Sequence, residues 1–163
     1  MPGFEAILTG EMAEGRRVLG AFAGLLLAAT AGAAAEVVLL EDGREPVRWT
    51  EWRAPQGEVV LLVWASWAPR AGDAVAGIDR IDAAAAEHGL QLVVLVVQEP
   101  VEDARSGLAA YRGRWLHDRH GALLKELRVI KVPSLVVVDR RGEVAARLEP
   151  TTEALASWGK GRS

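Results

Sequence analysis

The side chains with reactive chemistry to offer are the hydroxyls of Ser66 and Ser134, the carboxylate of Glu99 and the HxxH pair His117 and His120. The 163 residues include no cysteine. A thiolate both attacks and leaves in thiol–disulfide exchange, so that reaction is excluded whatever else the chain does. A serine nucleophile needs a base within hydrogen-bond reach and a group that orients the base. No histidine lies near Ser66 in sequence, and both Ser66 and Ser134 are expected to be structural. Two imidazoles are too few for a tight metal site, and His88, the third histidine, is distant. His117 and His120 are therefore expected to be solvated loop residues, with no metal or cofactor. Met1 and Met12, the two methionines, stand at the start of the chain, which excludes a methionine-rich copper site in the part that follows.

Positioning such groups requires a core, and half of the residues are hydrophobic, enough for one ordinary domain. The net charge is −3, and the basic residues are mostly arginines spread along the chain. No basic stripe forms, which argues against nucleic acid as a partner.

The first 35 residues read as a targeting segment. Arg16 and Arg17 precede the apolar run Val18 to Ala29, and Ala33-Ala34-Ala35 offers a small-residue cleavage site before Glu36. Cleavage after Ala35 is expected, with Met12 as the initiator that brings the signal to the usual length. The alternative is an uncleaved helix from Val18 to Ala35 that anchors the domain in a membrane, the only condition under which a membrane would be a partner. The mature domain then spans residues 36–163, is exported to a compartment such as the bacterial periplasm, and folds without disulfides.

Within it, Val37 to Leu40 and Pro46 to Trp52 predict two strands around the turn Glu41-Asp42-Gly43-Arg44. Val59 to Ala65 and Leu90 to Val97 are continuous apolar runs, the pattern of strands buried on both faces. Between them, from Ala71 to His88, Val75, Ile78, Ile81 and Ala85 recur at helical spacing, and Gly89 follows as a C-terminal stop. Val101 to Tyr111 predicts a helix, Arg114 to His117 a short strand or an extended link, and Ala122 to Leu127 a short helix. Ser134 to Asp139 and Glu143 to Leu148 predict an antiparallel pair around Arg140-Arg141-Gly142. Thr151 or Thr152 can cap a last helix bearing Leu155 and Trp158. The sum is a mixed α/β sheet covered by helices on both faces.

Several motifs occur in an order that resembles the TlpA/ResA-like branch of the thioredoxin superfamily over nearly all of residues 36–160. They are the opening hairpin ending near Gly57, Trp64-Ala65-Ser66-Trp67 after an apolar strand, His117 to Gly121, Lys131-Val132-Pro133-Ser134 and the hairpin around Val138-Asp139-Arg140-Arg141-Gly142. The resemblance implies a thioredoxin-like fold with an N-terminal β-hairpin. It implies a cis bond before Pro133, facing the turn at Trp67, and it implies membership among exported disulfide reductases.

Departures from the pattern alter its functional meaning. Ala68 and Ala71 stand where relatives carry the two reactive cysteines, so no catalytic residue remains at these positions. Leu62 replaces a polar residue, and Ala76 replaces a helix-kinking proline. Glu99 resembles a glutamate that some relatives direct at the cysteines. With no thiol to serve, it is expected to be an exposed carboxylate.

Of the six tryptophans, Trp64 and Trp158 are expected in the core. Trp67 is expected on the surface, since the resemblance places that aromatic against a substrate peptide. Trp67, Pro69, Arg70, Val132 and Pro133 then form a peptide-binding patch. The function that follows is a redox-inactive, chaperone-like factor that binds an extended protein segment. The alternatives are a structural subunit that uses another surface, such as one around Trp49 and Trp52, or a member of an oxidoreductase family with residual or unrelated activity.

Overall fold

The computed structural model describes residues 36–162. The expected leader, its cleavage point and the Met12 start lie outside them. Among the described residues no helix is long and apolar enough to cross a membrane.

Seven strands form one sheet: β1 (Val38–Glu41), β2 (Glu45–Arg48), β3 (Val59–Trp64), β4 (Gln91–Val97), β5 (Trp115–Asp118), β6 (Ser134–Val138) and β7 (Val144–Leu148). Their order across the sheet is β2-β1-β5-β4-β3-β6-β7. The central trio β3, β4 and β5 is parallel; β6 runs antiparallel to β3, and β1 antiparallel to β5. All six residues of β3 are buried, and β4 is buried from Leu92 to Val97. That is the burial expected where both faces of a parallel sheet are covered. The edges differ in character. Pro46 sits in edge strand β2, where a missing N–H removes no bond from the interior of the sheet.

Six helices complete the unit: α1 (Trp49–Arg53), α2 (Ala71–Ala76), α3 (Ile78–Glu87), α4 (Val101–Gly107), α5 (Ala122–Glu126) and α6 (Thr152–Lys160). Helix α6 packs on α3 and begins at an N-cap whose Thr151 Oγ1 accepts from the Ala154 N–H at 3.2 Å. The other possible cap, Thr152, is already helical.

Three boundaries differ from the sequence expectation, each for a physical reason. Strand β2 stops at Arg48, because Trp49 and Trp52 are three apart and face the core from a helical turn. Their rings stack at 5.9 Å with 17° between planes. The helix expected from Ala71 is broken at Gly77, which ends α2 and starts α3. A kink is therefore present although Ala76 is not a proline. Helix α4 ends at Gly107 rather than Tyr111, and a Cβ there would sit 2.4 Å from Trp64 Cη2.

Candidate functional site

Strand β3 ends with Trp64 and hands the chain to a turn that sits above the carboxyl ends of the parallel strands, the usual location of ligand crevices in such sheets. Two backbone bonds shape the turn: Ala68 N–H to the Ala65 carbonyl and Ala71 N–H to the Ala68 carbonyl, each 3.1 Å. Arg70 takes a left-handed φ of 61° to lead into α2, and its side chain pairs with Asp73 at 3.2 Å. The buried indole of Trp64 donates to the Ala71 carbonyl at 2.9 Å, which ties the start of α2 to the core. Ala68 and Ala71 are each 6% exposed, and each brings only a methyl group to the turn.

Trp67 lies outside. It is 56% exposed, whereas Trp64, Trp49 and Trp52 are 2, 2 and 7% exposed. Trp158 is half-buried against the core. Pro69 and Arg70 are exposed on the same turn.

Pro69 and Arg70 face Lys131, Val132 and Pro133 across a groove of about 520 Å³. The peptide bond before Pro133 is cis; Val132 is half-buried and Pro133 buried. The structure thus brings four of the five candidate patch residues, Pro69, Arg70, Val132 and Pro133, to one groove. Trp67 is beside it in sequence but does not line it. The groove extends past Ala74 and Ile81 to Arg80 and to the start of α6 at Thr151, Thr152 and Glu153. Sequence reasoning missed this far wall, which is built by the packing of α6 on α3.

Glu99 is not the exposed carboxylate expected from the sequence. It is 4% exposed. Its Oε2 accepts from the Ser66 N–H at 2.9 Å and from the Ser66 Oγ at 2.5 Å. His117 is likewise not a solvated loop residue. It lies on β5 at 2% exposure, with Nε2 2.8 Å from the Glu99 carbonyl oxygen. Its HxxH partner His120 is exposed, so the two do not share an environment. Ser134 is buried on β6. Asp118, also buried, uses both oxygens to accept from the N–H groups of Ala122 and Leu124, at 2.8 and 2.9 Å, which anchors α5. Among the described residues no group of three or more His, Asp or Glu is placed to hold a metal ion.

The chain superposes on solved structures with this layout. A thiol-disulfide oxidoreductase from Bacteroides fragilis matches with a TM-score of 0.64, over 80% of this chain and 98% of its own. The fold is that of thioredoxin. The exposed lipoprotein thioredoxin of Streptococcus pneumoniae shares the thioredoxin-like architecture with a TM-score of 0.59, covering 78% of this chain and 99% of its own. A secreted Mycobacterium tuberculosis disulfide oxidoreductase, homologous to E. coli DsbE, matches at 0.58 over 77% of this chain and 96% of its own. Identities are 18, 19 and 16% respectively, so the likeness is one of thioredoxin-like fold. No family model and no curated protein sequence matches the chain. In this thioredoxin-like frame, the chain has no cysteine to supply a thiol.

Proposed function

We propose that this chain is an exported, redox-inactive relative of the TlpA/ResA-like branch that binds an extended segment of another protein. The binding surface is the turn at Trp67 with the neighbouring groove of Pro69, Arg70, Val132 and Pro133. The observation that carries the reading is the contrast at the turn. Both positions corresponding to reactive cysteines are buried alanines, while Trp67 stays 56% exposed beside an open groove. An exposed indole next to a concave surface is the arrangement in which an aromatic anchor gives affinity to a peptide contact. Export is supported by the apolar, alanine-rich leader pattern and by the secreted or surface-exposed nature of two of the similar structures. A contact surface at Trp49 and Trp52 has less to present, since both rings are buried.

The test is binding of an unfolded model client, reduced carboxymethylated α-lactalbumin, to the full chain and to a Trp67→Ala, Val132→Asp variant whose folding is verified by circular dichroism. The variant should bind at least about tenfold more weakly. Equal binding by both proteins would move the working surface away from the groove. Absence of binding by the unaltered chain would defeat the reading.

A further inference from the structure

Glu99 is a buried carboxylate with no cation beside it in the hydrogen-bond network. One oxygen, Oε2, accepts two bonds, and both come from Ser66. The other, Oε1, is buried and has no protein partner. Burying a carboxylate this way is costly unless its bonds are well made. Those bonds connect residues 33 apart in sequence, and they tie to the end of β4 the turn whose next residue is the exposed Trp67. The other bonds at the turn run between its own residues, to Trp64 or to the adjoining helix α2.

Glu99 is in turn held through its backbone carbonyl. His117, 98% buried on the neighbouring strand β5, places Nε2 on the Glu99 carbonyl oxygen. A relay of contacts thus runs from β5 through His117 and Glu99 to Ser66, whose next residue in the chain is the exposed Trp67. Ser66, its last member, is exposed, and His117 and Glu99 are buried.

We propose that Glu99 is a positioning residue for client binding: its carboxylate seats Ser66 and so sets the pose of the Trp67 ring. This rests on the reading of the Trp67 surface as the binding site. The bond to the Ser66 N–H fixes the backbone one residue before Trp67. The bond to its hydroxyl selects one Ser66 rotamer. Removing both leaves Trp67 exposed but free to sample other orientations, and a loosely held anchor binds less well because its ordering cost falls on the complex.

The experiment uses the full chain labelled with 5-fluorotryptophan, whose six fluorine resonances are assigned by single Trp→Phe changes. Glu99→Ala should shift and broaden the Trp67 resonance alone. It should also weaken binding of reduced carboxymethylated α-lactalbumin roughly tenfold. Glu99→Gln keeps an acceptor oxygen for Ser66 and should restore most of both signals. Ser66→Ala, a change at an exposed position that removes one of the two bonds, should produce the same change at smaller size. An unmoved Trp67 resonance in folded Glu99→Ala or Ser66→Ala protein would overturn the proposal. So would movement of all six resonances together with no rescue by Glu99→Gln, which marks a general role in the scaffold. If Trp67 responds as expected while the unaltered chain binds no client, the positioning role stands and the proposed function falls.

Discussion

The indole of Trp64 reaches across the turn to the carbonyl of Ala71, so the last residue of β3 fixes the first residue of α2. Gly107 packs edge-on to the same ring, with room for no Cβ. Trp64→Phe preserves most of the packing and leaves the Ala71 carbonyl without its donor. It should lower unfolding stability by about 1 to 3 kcal/mol in urea titrations. Gly107→Ala drives a methyl into the ring and should cost a similar 1 to 3 kcal/mol, roughly.

Introducing thiols at the turn tests whether its geometry supports dithiol chemistry. The Ala71 N–H bonds to the Ala68 carbonyl at 3.1 Å, which closes a four-residue turn and brings the two Cα atoms within about 7 Å. That overlaps the spacing a disulfide accepts. Ala68→Cys with Ala71→Cys should therefore form an intramolecular disulfide, seen as loss of both free thiols. With dithiothreitol to return that disulfide to the dithiol, the variant should reduce insulin faster than dithiothreitol alone, and the unaltered chain should not.

Stability should depend on pH through Glu41. Its carboxylate accepts from Trp52 Nε1 at 3.0 Å and from Arg114 Nη2 at 2.7 Å. These bonds hold its pKa below the ordinary carboxylate value, the Trp52 bond first. A carboxyl depressed by folding contributes stability above its unfolded pKa, and that contribution is lost as pH falls through the folded value. Glu41→Gln should be less stable than the unaltered chain at neutral pH by about 1 kcal/mol, a modest figure because the Arg114 side chain is 40% exposed. The gap should close in acid, as followed by denaturation midpoints against pH.

The cap of α6 offers an independent check on the far wall of the groove. Thr151→Ala removes the acceptor for the Ala154 N–H. It should cost about 1 kcal/mol of stability, while Thr151→Ser should cost little. Both are measured by thermal unfolding.

Much of this architecture is written locally. The apolar runs that became β3 and β4 are buried nearly throughout, and their composition alone identifies strands covered on both faces. The Asp42-Gly43 turn also follows from residue type, since both residues adopt positive φ. Trp49 and Trp52 were legible in spacing but not in propensity: tryptophans three apart suit one face of a helix, while the chain around them continues from a strand. Glu99 and His117 were not legible at all. Their burial comes from neighbours distant in sequence, Ser66 above Glu99 and the paired strands around His117. A residue type that is usually solvated gives no local sign of such partners. The groove was half legible. Pro69, Arg70, Val132 and Pro133 follow from motif order, but Arg80 and the start of α6 enter it only through packing.

The two rims of the sheet bear on how the molecule behaves among its own copies. On one, Pro46 lacks the donor that a neighbouring chain would need, and Glu45 and Arg48 place opposite charges on the four-residue strand. On the other, Arg147 of β7 turns back to the Leu127 carbonyl, and a bulge interrupts the pairing of β7 with β6. Neither rim is a long, flat, apolar template for edge-to-edge addition. A domain built in this way is protected at both rims against the edge-to-edge addition that leads to cross-β fibrils at high concentration.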